Sequence, residues 1–331
     1  MLLLALLACD LTSPPTLSGE EFLFEVAPGT TARGLGPTLQ TAGLIQDSWR
    51  WEWFLRTQTE GDQEGGKCLK AGPHKVRPGM DAPTLLTALC GAPVPKDEPF
   101  TVVEGWRIRE IDAALTAKGW LDAGEFTTAA TSDLSAYKVT FPIPNDTLEG
   151  FLYPETYRVE PAAFAKDDGA RQFVQRLLDT FGERFGEEAA AAEEAGTLPR
   201  AFHDLVVMAS MIEREEPKPE NRPIIAGILW KRIDANWNLG VDATSRYTIE
   251  DWNDRSAFMV KLRDAKDPWN TRLRPGLPPT PIGSPGEVAL RAAMSPVPSE
   301  YWYYLHDSTQ TFHGGKDVRE HEANRRKYNV Y

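Results

Sequence analysis

Apolar residues recur every three or four positions along residues 205–212, and this run ends at a cluster of carboxylates. The spacing predicts a helix with one buried face. Glu213 follows four residues after Ala209, so its side chain lies at the edge of that face. A carboxyl held against apolar side chains has its charged form disfavoured and its pKa raised, which suits a general acid near neutral pH. Glu213 is therefore a candidate acid; the alternative is a solvated helix end.

Before residue 120 a short pattern, in which a strand, a glycine turn and a short helix ending at glycine follow one another, occurs more than once. Alternating apolar positions predict the strands, and capping residues bound the helices. This pattern indicates small α+β modules. In chain order the predicted elements are a strand at Phe22–Val26, a strand at 68–76, a helix between Asp81 and Gly91, a strand at 100–103 and a helix that ends at Gly119.

After residue 140 the helices become longer and the sequence becomes richer in aromatic residues. Amphipathic helices and a further strand are predicted in this part of the chain. The section at 239–283 looks irregular. The other predicted elements are a helix at 167–186, a capping box at 284–287 that opens a helix through Met294, a strand at 301–305 and a helix from Asp317.

Length and charge restrict the class of protein. The 331 residues are enough for two or three domains, and the net charge of −12 argues against nucleic acid as a partner. No stretch approaches the roughly 20 apolar residues of a membrane-spanning helix. Three histidines cluster near the C-terminus, His306, His313 and His321, but their spacings match no compact set of metal ligands. No metal is predicted.

The N-terminus resembles the end of a bacterial lipoprotein signal, in which a short apolar run precedes a cysteine that becomes lipidated. Here the run ends in Leu-Leu-Ala-Cys9, without a basic segment before it. The resemblance predicts a signal at 1–9, lipidation at Cys9 and a tether at 10–21; the alternative is a frayed apolar end. If Cys9 carries lipid, Cys68 and Cys90 are left as a disulfide pair in an oxidising compartment or as two free thiols.

Five motifs occur in a fixed order after residue 140. They are Leu148-Glu-Gly-Phe-Leu-Tyr-Pro-Glu-Thr-Tyr157, Ala209-Ser-Met-Ile-Glu213-Arg-Glu215, Leu239-Gly-Val-Asp242-Ala-Thr-Ser-Arg-Tyr247, Trp269-Asn-Thr271 and Gly276-Leu-Pro-Pro-Thr-Pro-Ile-Gly-Ser-Pro-Gly286. With these motifs in this order, the chain resembles the YceG-like family of endolytic murein transglycosylases. The resemblance covers residues 100–328 well and residues 22–99 more weakly.

The resemblance implies an α+β fold for both parts of the chain, a small LysM-like region at 22–140 and a catalytic domain at 141–331. It also implies a reaction. The family cuts the β-1,4 bond between N-acetylmuramic acid and N-acetylglucosamine inside glycan strands, without water, and leaves a 1,6-anhydro-muramyl end. Glu213 matches the position of the family's catalytic glutamate. One acid suffices because the substrate's C6 hydroxyl replaces the second carboxyl that a glycoside hydrolase needs.

Two acids follow Glu213 closely and are less suited to its role. Glu215 lies about 200° further round the helix, so it should point away from Glu213. Glu216 precedes Pro217, which favours the end of the helix there.

The candidate substrate contacts come from the same motifs. Asn270 and Thr271 stand where the family has Tyr-Asn-Thr-Tyr, and Asn270 can exchange hydrogen bonds with N-acetyl groups. The flanking tyrosines are replaced by Trp269 and Arg272, which leaves the sugar contacts there open. The motif at 148–157 adds Glu149, Tyr153 and Glu155 as candidates, and the motif at 239–247 adds Asp242 and Tyr247. For Tyr153, Asp242 and Tyr247 a structural role is the alternative.

The resemblance implies no cofactor. The implied partners are peptidoglycan glycan strands, penicillin-binding synthases and the elongation or division machinery, at the periplasmic face of the inner membrane. Two other functions stay open. One is a non-catalytic peptidoglycan-binding module. The other is a muramidase that uses water, for which Glu155 or Asp242 would have to supply the second carboxyl.

Overall fold

A computed structural model describes residues 19–58 and 67–330 of the chain. The predicted signal with Cys9 and most of the predicted tether therefore lie outside the described residues. Within the described ranges, no helix is both long and apolar enough to cross a membrane.

The chain divides into two units between Asp97 and Glu98. This division differs from the boundary predicted at residue 140. Residues 98–140 belong to the second unit because Phe100 and Phe126 pack against Phe173 in one continuous hydrophobic core. The region predicted to be LysM-like therefore does not correspond to a single unit.

An antiparallel strand pair and short helices share one hydrophobic core in the first unit. Phe24 and Val26 point into this core, as the alternation of the sequence predicts. Pairing runs from Phe22 opposite Val76 to Val26 opposite Gly72. The elements are β1 (Phe22–Val26), α1 (Gly36–Thr41), α2 (Ser48–Thr57), β2 (Gly72–Val76) and α3 (Ala82–Cys90).

Local signals set the ends of α3. Asp81 caps the helix by accepting a hydrogen bond of 2.8 Å from the backbone N–H of Thr84, and Gly91 follows its last residue. Cys68 and Cys90 are joined by a disulfide, with their Cα atoms 5.0 Å apart. The disulfide ties the segment before β2 to the end of α3.

The second unit combines antiparallel strand pairs with helices. β3 pairs with β4, and β5 pairs with β6. The elements are β3 (Glu98–Thr101), α4 (Ile108–Ala117), α5 (Glu125–Thr131), β4 (Thr156–Val159), α6 (Gly169–Phe181), α7 (Glu187–Glu194), α8 (Phe202–Glu215), α9 (Arg222–Asp234), α10 (Asp242–Arg246), α11 (Arg255–Lys261), α12 (Glu287–Met294), β5 (Tyr303–His306), β6 (Phe312–Gly315) and α13 (Val318–Lys327).

Helix α8 lies in the middle of this unit. Every side chain from Leu205 to Ile212 is buried, whereas the sequence predicts one buried face. The reason is that α7, α9, α10 and α12 all pack against α8. Burial stabilises each large apolar side chain by about 1.5–3 kcal/mol, so the helix is firmly held and Glu213 has a fixed position.

Two local predictions differ from the structure. The capping box at 284–287 does not form: Gly286 precedes α12, and Ser284 Oγ is buried with no hydrogen-bond partner among the described residues. The section at 239–283 is also less irregular than predicted. It contains α10 and α11, and Asp254 caps α11 by accepting two backbone N–H groups.

Candidate active site

The carboxyl of Glu213 lies between an arginine and a backbone amide near the end of α8. Its side chain is 5% exposed. Arg222 donates Nη2–H to Oε1 at 2.6 Å and Nη1–H to Oε2 at 3.1 Å. Gly286 donates its backbone N–H to Oε2 at 3.0 Å. Both carboxyl oxygens are therefore held by donors that favour the charged form.

Burial raises the pKa of Glu213 above its ordinary value and is the strongest influence on it. Arg222 and the Gly286 N–H act in the opposite direction, whereas the negative charge of Glu104 raises the pKa further. The net effect is a raised pKa. A raised pKa suits a proton donor, and Arg222 and Gly286 remain as partners for the carboxylate after the proton has left.

Arg222 reaches Glu213 because the chain reverses direction after α8. Glu216 ends the helix before Pro217, and Arg222 then begins α9. Its Nε–H also donates to the carbonyl oxygen of Glu216 at 3.1 Å, so the guanidinium joins the end of α8 to the start of α9. Sequence reasoning missed Arg222. Only Pro223 marked this helix start, and it carries no information about a partner nine residues upstream.

The segment before α12 closes another side of the site. Ile282 donates its N–H to Ser210 Oγ at 2.9 Å, which fixes the segment on α8. Ser284 exchanges backbone hydrogen bonds of 2.7 Å with Gly105 and Trp106. A Cβ at Gly286 would lie 2.2 Å from Oε1 of Glu104, so the side chain of Glu104 packs closely against this glycine. The motif at 276–286 thereby brings a backbone donor to Glu213.

Tyr153 and Glu155 lie on the side of the site marked by Glu104. Burial raises the pKa of Tyr153, and nearby carboxylates that include Glu104 and Glu155 raise it further. Glu104 thus acts on both Tyr153 and Glu213. The side chain of Glu155 is 40% exposed and forms an ion pair of 3.2 Å with Arg184. This position suits the predicted contact with substrate, which stays a prediction.

Asn270 and Thr271 are buried inside a loop, away from solvent. Asn270 Nδ2 donates to the carbonyl oxygens of residues 261, 262 and 264 at 2.9–3.3 Å, and its Oδ1 accepts the N–H of Arg272. Thr271 Oγ1 accepts the N–H of Val241 at 3.1 Å. These bonds use the side chains to hold the loop. A direct contact with a glycan would require both residues to leave these partners.

Asp242 and Tyr247 have partners other than Glu213. Asp242 is half-exposed and forms an ion pair with Arg272, the residue that replaces a tyrosine of the family motif. The ring of Tyr247 packs at an angle of 39° against Trp269, with ring centroids 5.3 Å apart, and its hydroxyl donates to Glu149 at 3.2 Å. Burial raises the pKa of Tyr247. The geometry gives both residues a structural function, and the predicted substrate contact is not tested by it.

Glu149 is a second buried carboxyl of this unit, with 3% of its surface exposed. It accepts the backbone N–H of Ile108 at 3.2 and 3.3 Å, at the start of α4, and the hydroxyl of Tyr247. Burial raises the pKa of Glu149 to about 8. The carboxyl is therefore mainly protonated at neutral pH. The sequence singled out Glu149 only as a groove residue and not as a buried acid.

The acids that follow Glu213 bond to other groups. Glu215 accepts the hydroxyl of Tyr304 at 2.9 Å, and burial raises its pKa. Glu216 is fully buried and lies 2.8 Å from Nε2 of His306. Although His306 approaches this carboxylate, the described part of the chain contains no group of three His, Cys, Asp or Glu side chains placed to hold a metal ion.

Comparisons with known proteins agree on one family. Residues 24–327 match the model of the YceG-like family. An endolytic murein transglycosylase of Bacillus subtilis (strain 168) is 23% identical over 315 residues, covering 92% of this chain and 83% of that protein. An endolytic murein transglycosylase of Streptococcus pneumoniae serotype 2 (strain D39) is 21% identical and covers 86% of this chain. The chain spans 54% of the length of that second relative.

The fold is also similar to a solved structure. A YceG-like protein of Listeria monocytogenes aligns with a TM-score of 0.60 and 21% identity, covering 92% of this chain and 98% of that one. The expected α+β fold is thereby confirmed, although no comparison identifies a LysM-like part. Because the family model extends over both units, the match does not depend on the motifs around Glu213 alone. The chain belongs to the YceG-like family.

Proposed function

We propose that the chain is a lytic transglycosylase that cleaves the β-1,4 bond between N-acetylmuramic acid and N-acetylglucosamine within peptidoglycan strands. The observation that carries this proposal is the environment of Glu213. Its carboxyl is buried and has a raised pKa, and Arg222 and the N–H of Gly286 hold both of its oxygens. The names of the Bacillus and Streptococcus relatives support the substrate class.

The proposed reaction uses Glu213 twice. The protonated carboxyl gives its proton to the glycosidic oxygen, the bond from that oxygen to C1 of the muramic acid breaks, and the N-acetylglucosamine leaves with a free 4-hydroxyl. The C6 hydroxyl of the muramic acid then bonds to C1 and returns its proton to the carboxylate. No water is consumed, and the product carries a 1,6-anhydro ring. Arg222 and Gly286 stabilise the carboxylate between the two proton transfers.

Hydrolysis is the competing reaction, and it depends on a second acid near Glu213. A hydrolase needs a second carboxyl about 5–9.5 Å from the acid. Glu155 and Asp242, the two candidates from the sequence, are each held in an ion pair with an arginine. Glu104 is exposed, and its charge acts on Glu213, so Glu104 is the acid that an experiment must exclude.

Mass spectrometry of muropeptides released from purified sacculi tests the proposal. We expect anhydro-muramyl products from the wild-type chain and none from Glu213→Gln. Glu104→Gln is the matched control, because it removes an acid beside the site without touching the proton donor, and its products should still carry the anhydro ring. Products with reducing ends would indicate a hydrolase. The absence of any product from the wild-type chain would favour the alternative function, a non-catalytic peptidoglycan-binding module.

As a second part of the proposal, the enzyme terminates nascent glycan strands at the periplasmic face of the inner membrane, beside penicillin-binding synthases. Lipidation of Cys9 would hold it there. The disulfide between Cys68 and Cys90 is typical of proteins in oxidising compartments and supports this location. Cell fractionation of a Cys9→Ala variant tests the anchor. Release from the membrane fraction is expected, and unchanged membrane association would contradict lipidation.

A further inference from the structure

Arg214, the residue after Glu213, has one buried hydrogen-bond donor without a partner among the described residues. Its Nε–H is buried and finds no acceptor among the described residues. Glu110 is its carboxylate neighbour there, with 3.7 Å between Nη2 and Oε2, which is too far for a hydrogen bond. A partly buried guanidinium whose donors have no acceptor loses free energy, which a ligand with acceptor oxygens would restore.

Glu110 forms its hydrogen bonds with Arg107 rather than with Arg214. Arg107 donates its backbone N–H to Oε2 at 2.6 Å and its Nε–H to Oε1 at 2.9 Å. The charges of Arg107 and Glu110 therefore compensate each other. Glu149, another nearby acid, is mainly protonated below its pKa of about 8. Arg214 thus has Glu110 as a distant ionic neighbour, and its Nε–H has no hydrogen-bond acceptor among the described residues.

The guanidinium of Arg214 also has a fixed orientation close to the candidate acid. Its Cζ lies 4.0 Å from the ring centroid of Trp252, which holds the planar group in place. A Cβ at Gly105 would be 2.9 Å from Nε, so this turn packs tightly against Arg214. The preceding residue of the same turn, Glu104, lies against the glycine that donates to Glu213. The side chain of Arg214 as a whole is 21% exposed although its Nε is buried, so part of this side chain is open to a ligand.

We propose that Arg214 is a specificity-determining residue that binds a carboxylate of the peptide carried by the muramic acid at the cleavage site. This inference rests on the proposed function. A guanidinium matches a carboxylate through two parallel hydrogen bonds, whereas the hydroxyl and N-acetyl groups of the sugars are neutral. The muramic acid is the sugar on which Glu213 acts, and it carries the peptide on its lactyl group. The peptide therefore begins beside the acid.

The test is a binding measurement with two matched ligands. Both are tetrasaccharides of alternating N-acetylglucosamine and N-acetylmuramic acid that carry the same stem peptide, with free carboxylates in one and with amides in their place in the other. Calorimetry on the full chain carrying Glu213→Gln avoids cleavage during the measurement. We expect the ligand with free carboxylates to bind about tenfold more tightly, as charge-assisted hydrogen bonds allow. Adding Arg214→Gln should remove this preference.

Two further variants complete the design. Arg214→Lys keeps the charge without the paired donors, so it should retain only part of the preference. Arg319→Gln is the matched control, since this arginine has a side chain that is 90% exposed, and the preference should be unchanged. Equal binding of the two ligands by the Glu213→Gln chain, including no measurable binding of either, would overturn the proposal. So would a preference that survives in Arg214→Gln.

The outcome is independent of catalysis. If the wild-type chain forms no anhydro-muramyl product from sacculi, the proposed function fails, whatever the binding data show. If it forms this product but Arg214 has no effect on the carboxylate preference, only the inference about Arg214 fails.

Discussion

Glu213 and Glu149 are buried carboxyls of the same unit that differ in the groups that donate to them. Burial raises the pKa of both. Glu213 accepts two N–H groups of Arg222, whereas the donors to Glu149 among the described residues are neutral, a backbone N–H and the hydroxyl of Tyr247. A guanidinium stabilises the charged form, so Glu213 can release and regain a proton, whereas Glu149 stays neutral. Burial alone does not make a general acid.

The largest expected effect is the difference in rate between a variant without the Glu213 carboxyl and one without the Glu149 carboxyl. Glu213→Gln should lower the rate of anhydro-muropeptide formation by about 10²–10⁴-fold, because it removes the general acid. Glu149→Gln should keep most of the rate, because an amide can still accept the N–H of Ile108 and the hydroxyl of Tyr247. Initial rates on the same sacculi at pH 7 measure both. Equal losses in the two variants would mean that the comparison between the carboxyls is wrong.

The next effect concerns the cation beside Glu213. Arg222→Gln removes the positive charge that favours the carboxylate, so the pKa of Glu213 should rise further. The rate should fall, because the carboxylate formed during the reaction loses its main partner, and the decline of rate at high pH should begin at a higher pH. The pH profile of kcat/KM measures this shift. Arg222→Lys, which keeps the charge, serves as the control and should move the profile less.

A rate loss in Arg222→Gln without any shift of the pH profile would contradict this role. Urea unfolding separates it from a loss of fold, because breaking a buried ion pair costs about 3–5 kcal/mol when the remaining partner stays charged. Glu213 can take up a proton instead. We therefore expect Arg222→Gln to lower the free energy of unfolding less at pH 5 than at pH 8.

A third prediction is that Glu149 makes the stability of the folded chain depend on pH. Its pKa is about 8 in the folded chain and near 4.5 in the unfolded chain, so between these values the unfolded chain loses a proton that the folded chain keeps. The contribution of Glu149 to the free energy of unfolding should therefore be fully present below pH 4.5 and be lost as the pH rises to about 8. Glu149→Gln cannot ionise, so its stability should depend less on pH.

Urea unfolding of the wild type and of Glu149→Gln at pH 5 and pH 8 measures this difference. We expect the change between the two pH values to be smaller in the variant by up to a few kcal/mol, at about 1.4 kcal/mol per pKa unit. Glu213 and Glu215 also have raised pKa values, but they are the same in both proteins and cancel in the comparison. An identical pH dependence would show that Glu149 is not neutral in the folded chain.

The features that the sequence predicted well depend on neighbours along the chain. The cap at Asp81 needs only a backbone N–H three residues away. Glu213 is singled out by the apolar spacing before it and by the motif in which it stands. By contrast, Arg222 and Gly286 meet Glu213 only through the packing of α9 and α12 on α8, and the spacing of residues in a sequence does not encode such packing.

Asn270 is a second example of a contact that depends on packing and that the sequence did not predict. Its amide can bond to N-acetyl groups, and this chemistry suggested a substrate contact. The same amide can equally bond to backbone carbonyls, and the structure places it on three of them. Hydrogen-bonding capacity therefore did not distinguish a surface position from a buried one, because burial depends on contacts between distant segments. The domain boundary near residue 140 was misplaced for a related reason, since residues 98–140 pack against a later helix.

The smallest expected effect concerns the hydroxyl of Tyr247, which is a neutral donor to Glu149. Tyr247→Phe removes the hydroxyl that donates to Glu149, so the free energy of unfolding should fall by about 0.5–1.5 kcal/mol. The pKa of Glu149 should rise further, because a donor that favours the carboxylate is lost. Carbon-13 NMR titration of the glutamate carboxyls measures the pKa. If stability and pKa are unchanged but KM for glycan strands rises, Tyr247 acts on the substrate, as the sequence predicted, and the hydroxyl is not a structural partner of Glu149.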